Sequence, residues 1–269
     1  MRLSFKQVDA FSADAFKGNP AAVFVSSEPL PDILMQDIAM EMNLSETAFL
    51  VPQQEENHYS LRWFTPKAEV DLCGHATLAS AHALWEDQFV AQNATIVFHS
   101  KSGLLHVGSQ DGWIQMDFPL EGQTDVATFE EEALLKKALG ISLSSVVRNR
   151  LDFLVELESA SDLARVAPDF NMLKQLNARG VIVTAFSDNP SYDFMSRGFF
   201  PAVGIDEDPV TGSAHCFLAD YWHRKLKKTN FTAYQGACRG GVLKLSLLPE
   251  DRVLLCGQAV TTVRGELSI

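Results

Sequence analysis

Cysteine is scarce: Cys73, Cys216, Cys238 and Cys256 are scattered through 269 residues, with no metal-like spacing. In a chain this long such residues read as free thiols of a reducing compartment. Basic residues are also few, 22 lysines and arginines against 34 acidic residues, for a net charge of −12. Phosphate binding needs clustered Lys and Arg, so nucleic acid is excluded as a partner. No stretch approaches the ~20 apolar residues of a membrane span. The opening Met1 to Asp9 lacks the apolar core of a signal peptide, so a cytoplasmic protein is expected. No His-Glu-x-x-His or Cys-x-x-Cys occurs, and His75 and His82, though on one helix face, lie about 10 Å apart along its axis. No metal is therefore expected. The run Gly236 to Gly241 lacks the GxGxxG spacing of a dinucleotide loop, and no helix is expected after it.

What is present is a hydrophobic fraction of 46%, enough for one large core or two ordinary ones. Alternation predicts strands near residues 3–8, 45–51, 59–64, 95–99, 104–107 and 113–118, with Asp111-Gly112 as a hairpin turn. A helix is expected over 31–42, ended by Asn43. The acidic stretch from Glu121 to Glu132 suggests a boundary, giving halves 1–120 and 121–269, with the last strand allowed to return to the first half. Beyond it come a helix near 130–139, strands near 153–157 and 181–185, and a strand-rich end with Gly236, Gly240, Gly241 and Gly257 at turns.

The most informative feature is a device that occurs twice. Phe64-Thr65-Pro66 precedes Cys73-Gly74-His75-Ala76-Thr77, and Phe199-Phe200-Pro201 precedes Asp208-Pro209-Val210-Thr211-Gly212-Ser213-Ala214. Each leads into a helix apolar on most of its circumference, hence buried. A buried helix start offers orphan N–H groups and a positive dipole end to a carboxylate or phosphate. Counting from each Pro, Cys73 and Asp208 fall at matching positions.

Glu46 shares a strand face with Ala48 and Leu50, so its carboxylate points at apolar surroundings. Burial costs several kcal/mol unless offset, and raises a carboxyl pKa towards the ~6–7 useful in proton transfer. Glu46 is either that general acid/base, or a carboxylate satisfied by backbone N–H groups or an Arg, or one simply placed on an edge strand. Cys73 is a reactive thiol or a small buried residue. His75, at a dipole's positive end, is expected neutral. His82 and His215 read as ordinary packing or polar-contact residues. Gly212 and Ser213 form an anion-binding nest or an ordinary N-cap involving Ser213 or Thr211. Asn19 and Asp208 are site residues or simple turn residues.

Taken together, Gly18-Asn19-Pro20-Ala21-Ala22-Val23, Leu44-Ser45-Glu46-Thr47-Ala48-Phe49, Val70-Asp71-Leu72-Cys73-Gly74-His75-Ala76-Thr77, Glu207-Asp208-Pro209-Val210-Thr211-Gly212-Ser213-Ala214, Gln235-Gly236 and Gly257-Gln258-Ala259-Val260 resemble the PhzF-like phenazine-biosynthesis family, within the diaminopimelate-epimerase-like superfamily. The resemblance implies an α+β fold of two pseudo-symmetric halves, each a mostly antiparallel sheet wrapped around a central helix. It further implies a cleft site between the halves, a homodimer, and isomerase chemistry without a cofactor on a small carboxylate substrate. Glu46 is then the proton carrier, His75 and Asp208 orient substrate or proton, and Asn19, Cys73, Gly74, Gly212 and Ser213 bind substrate. Asp208 departs from the two-cysteine racemases of the superfamily. The rivals are a racemase or epimerase using Cys73, and a non-catalytic protein-binding member of the same fold.

Overall fold

Alternating polarity makes Arg2–Ala10 a strand, and its two edges are occupied by chain segments far apart in sequence. The computed structural model describes residues 2–92 and 94–269. Two compact units emerge: one runs up to Phe118 and includes Leu254–Ile269, and the other is Pro119–Val253. Among the described residues no helix is long and apolar enough to cross a membrane.

In the first unit, Arg2–Ala10 pairs antiparallel with Asn19–Val25 on one side and Ala259–Ser268 on the other. Asn19–Val25 then runs parallel to Glu46–Pro52, which pairs antiparallel with His58–Phe64. That strand takes Glu69–Val70 antiparallel and Ile96–Ser100 parallel, and Gly103–Gln110 and Trp113–Pro119 complete the meander. Asp111 and Gly112 sit at φ 51° and 76°, the left-handed values a two-residue hairpin requires. Glu46 to Leu50 are buried on both strand faces. On one, Phe49 packs with Ala22, Phe24 and Phe64 against Met35, Ile38 and Ala39 of the Asp32–Met42 helix. That helix ends at Asn43, in the left-handed region with its N–H donated to Ala39 O, the short polar residue tolerated there. The Gly74–Glu86 helix packs against Arg2–Ala10, Asn19–Val25 and Glu46–Pro52. Ten of its residues are buried, as its all-round apolar sequence requires.

Gly257 corrects an expectation. It ends the strand Arg252–Gly257 rather than forming a turn. A Cβ there would lie 2.4 Å from Phe11 Cδ1 and 2.7 Å from Leu78 Cδ1, so close packing, not backbone reversal, requires the glycine. Gly236 and Gly240 do turn the chain, between Asn230–Gln235 and Gly241–Leu248.

The second unit repeats the pairing sequence of the first. Ser145–Arg148 pairs antiparallel with Asp152–Glu156, which runs parallel to Gly180–Phe186. Gly180–Phe186 pairs antiparallel with Phe194–Phe200, which takes Ile205–Asp208 antiparallel and Asn230–Gln235 parallel. The Phe129–Leu139 helix opens on a reciprocal cap between Thr128 and Glu131, worth about 1 kcal/mol. It buries Leu135, Ala138 and Leu139 against Phe153, Val155 and Val183. The buried helix of this unit is Gly212–Leu226, where Trp222 stacks on Phe194 with centroids 5.3 Å apart. Superposing the two pairing schemes sets Thr47 with Val181, Phe64 with Phe199 and Glu46 with Gly180. One half therefore carries a carboxylate where the other carries no side chain.

Candidate active site

The parallel ladder sets Ala21 beside Glu46, and Asn19, two residues before Ala21, shares its face. Both polar side chains thus meet the start of the Gly74–Glu86 helix, whose N-cap residue is Cys73. His75 Nε2 lies 3.3 Å from Glu46 Oε2. On the other side of the ring, His75 Nδ1 lies 3.3 Å from Asn19 Nδ2 and 3.5 Å from Cys73 Sγ. Glu46, Asn19, His75 and Cys73 are all buried. The sequence expectation that Glu46 faces inward with Ala48 and Leu50 matches this placement, and four of the named residues come together.

The amide of Asn19 donates, so Nδ1 accepts and the ring proton sits on Nε2, the nitrogen nearer Glu46. Burial pushes the His75 pKa down to about 3. At 3.3 Å from Glu46 Oε2 the ring is therefore a neutral neighbour of the carboxylate rather than its ion-pair partner. Burial likewise brings His215 down to about 4, and His215 Nδ1 donates to Thr211 O over 2.8 Å. Both folded values are depressed, so the unfolded chain binds more protons below about pH 6.5. Stability from these two groups is fully present above that pH and is lost as pH falls towards about 4 and 3. Unfolding free energies from urea titrations between pH 6.5 and pH 5 should fall with a slope of at least one proton, about 1.4 kcal/mol per pH unit. A flat profile would contradict the neutral buried state of both rings.

Gly18 fixes how Asn19 enters. Its φ is +61°, and a Cβ would fall 2.1 Å from Ala10 O. We expect Gly18→Ala to cost at least 2 kcal/mol and to lower activity by shifting Asn19 off His75. A melting temperature equal to wild type would show that the backbone has room to relax.

The second helix start is built differently. Thr211, not Ser213, is the N-cap residue of Gly212–Leu226, and its side chain does not cap. Its hydroxyl donates to Asp208 Oδ2 over 2.5 Å, and its N–H donates to Gln235 Oε1 over 2.9 Å. Gln235 Nε2 donates to Asp208 O and to Thr211 Oγ1. Asp208 ends the strand Ile205–Asp208, four residues before Gly212. Val70 ends its strand four residues before Gly74. The structural counterpart of Cys73 is therefore Thr211, and that of Asp208 is Val70, correcting the match counted from the prolines. The count slipped because Pro201–Val203 forms a 3-10 turn closed by Gly204. The departure from a two-thiol site thus lies at Thr211. The hydroxyl of Thr77 donates to Cys73 O over 2.6 Å, the counterpart of His215 against Thr211 O.

Three residues of this start were given no role from sequence. Arg179 Nε lies 3.0 Å from Asp152 Oδ1 and Nη2 lies 2.5 Å from Oδ2, while Nη1 donates to Ser213 Oγ over 3.2 Å. Its guanidinium also lies 5.3 Å from the Phe200 ring centroid. The ion pair with Asp152 outweighs desolvation and holds the Arg179 pKa above its ordinary value. Arg179, Asp152 and Gln235 stand outside any periodic pattern, and only their tertiary pairing marks them.

A cation could draw on two donor sets among the described residues. Glu46, Cys73 and His75 bring their ligand atoms within 4.8 Å of one another, as do Glu55, His58 and His99.

One buried helix within each repeated sheet defines the diaminopimelate-epimerase-like fold. The chain belongs to the phenazine biosynthesis-like protein family (PhzC-PhzF), whose family model matches residues 8–265. It is 54% identical over 260 residues, 97% of this chain and 96% of the relative, to an uncharacterized isomerase of Halalkalibacterium halodurans. The crystal structure of a PhzF family protein from Enterococcus faecalis is 43% identical, covers 100% of both chains and superposes with a TM-score of 0.93. A predicted epimerase from Pseudomonas aeruginosa, 24% identical over 98% of this chain and 99% of its own, shares the fold with a TM-score of 0.78.

Proposed function

We propose that this protein is an isomerase that needs no cofactor and moves a proton within a small carboxylic acid, with Glu46 as the general acid/base. The observation that carries the reading is the buried Glu46 carboxylate set 3.3 Å from a neutral His75. The name isomerase carried by the Halalkalibacterium halodurans relative agrees with it. In this scheme Glu46 takes a proton from the carbon next to the substrate's carboxylate and returns it at another carbon of the same molecule. His75, held by Asn19, sets a neutral ring 3.3 Å from one Glu46 oxygen and helps orient the proton that Glu46 moves. The N–H groups at the Gly74 helix start favour a carboxylate and the charge that develops when the proton leaves; each such donor contributes roughly 3 kcal/mol in a water-poor site. Gly212 and Ser213 are assigned the same kind of anion binding, and Asp208 the orientation of substrate.

The contact between Cys73 Sγ and His75 Nδ1 supports a second reading, a racemase in which Cys73 is the base. That reading has Thr211 where the partner thiol would stand. Incubating the protein with small unsaturated and cyclic carboxylic acids in D₂O, followed by NMR, tests the two. Deuterium uptake that survives Cys73→Ser favours Glu46. Inactivation by a thiol reagent, with protection by the acid, favours Cys73.

A further inference from the structure

Away from the helix starts, the first unit gathers two histidines and a glutamate at the head of one strand. His58 opens the strand His58–Phe64. Ile96–Ser100 runs parallel beside it with Ser60 paired to His99, so His58 and His99 project from the same side of the sheet. The turn before His58 is closed by the Gln53 N–H donating to His58 O and the His58 N–H donating to Glu55 O. That closure holds Glu55 three residues back, over the same side. As a result His58 Nδ1 lies 2.9 Å from His99 Nε2 and 3.0 Å from Glu55 Oε2.

A proton on His58 Nδ1 can serve only one of its two neighbours at a time, the largely exposed Glu55 carboxylate being otherwise hydrated. If His58 Nδ1 carries a proton, a carboxylate oxygen and an imidazole lone pair compete for it. If His99 Nε2 carries the proton instead, the Nδ1 lone pair faces the carboxylate. A cation among the three would engage all three lone pairs at once, their ligand atoms lying within 4.8 Å of one another. Two imidazoles and a carboxylate are a donor set for ions of the zinc class, which bind nitrogen at about 2.0–2.1 Å. A tetrahedral arrangement at those lengths spaces its ligand atoms about 3.3 Å apart. The two distances here, 2.9 and 3.0 Å, need to open by only a few tenths of an ångström.

We propose that Glu55, His58 and His99 bind one divalent ion of the zinc class, leaving a coordination position to water. The ion joins the turn before His58 to the Ile96–Ser100 strand. It is separate from the donor set of Glu46, Cys73 and His75, and does not depend on the isomerase reading.

Equilibrium dialysis of the full chain against micromolar Zn²⁺ at pH 7.5 tests the site. Wild type should take up one more ion per chain than His58→Ala/His99→Ala, and His99→Ala alone should weaken that site at least tenfold. Circular dichroism confirms that the variants remain folded. With Co²⁺, the spectrum lost in the double variant should hold visible d–d bands and no sulfur-to-metal charge-transfer band. Equal uptake by wild type and the double variant would overturn the proposal. So would a charge-transfer band in the difference spectrum, since that band would move the ion to a thiol.

Discussion

Glu46→Gln should lower turnover by on the order of 10²- to 10⁴-fold, the contribution of a positioned acid/base, while leaving the melting temperature within a few degrees of wild type. The substitution keeps the shape of a buried side chain. A neutral amide is also compatible with the neutral His75 ring, whose Nε2 lies 3.3 Å from Glu46 Oε2. What is lost is a group able to gain and release a proton. Glu46→Asp provides a second comparison. It keeps the chemistry but withdraws the carboxylate by one methylene, and misplacement of about 1 Å is enough to cost around 10²-fold. Both rates are read from deuterium uptake into the substrate. A folded Glu46→Gln protein with wild-type uptake would remove Glu46 from the mechanism.

Arg179→Met should destabilise the protein by about 3 kcal/mol or more. Asp152 is 2% exposed and receives two hydrogen bonds from the guanidinium. Removing the cation leaves a buried anion without its charge partner, a larger penalty than the pair's net worth. For a chain of this size, such a loss lowers the melting temperature by roughly 6–12 °C. Arg179→Met/Asp152→Leu should recover much of it, because no lone charge then remains buried. If the single variant loses under about 1 kcal/mol, or the double variant melts no higher than the single, the pair is not a structural keystone. Substrate affinity provides a separate readout: loss of Arg179 also removes the donor to Ser213.

Local chemistry made much of this fold readable in advance. The helix Asp32–Met42 and its Asn43 end, the Asp111-Gly112 hairpin and both buried helices follow from periodicity, turn residues and apolar circumference. The inward face of Glu46 follows from period-two alternation alone. What sequence spacing could not supply was the register between the two helix starts. Counting residues treats every connection as equal, whereas the turn at Pro201–Val203 takes up chain without advancing towards the helix. Arg179 and Asp152 were hidden for a related reason. They are 27 positions apart and meet only because the parallel ladder sets Asp152 beside Gly180. Gly257 looked like a turn because glycine usually signals backbone freedom. Here Phe11 and Leu78 leave no room for a Cβ.

The pairing of Arg2–Ala10 with Ala259–Ser268 has a consequence for synthesis. While the ribosome makes Pro119–Val253, the first unit waits with one side of its opening strand unpaired. That strand is a ready template for another chain until residues 259–268 emerge to cover it. A nascent chain stalled short of Ala259 therefore carries an open edge, and chaperone demand should peak late in translation rather than early.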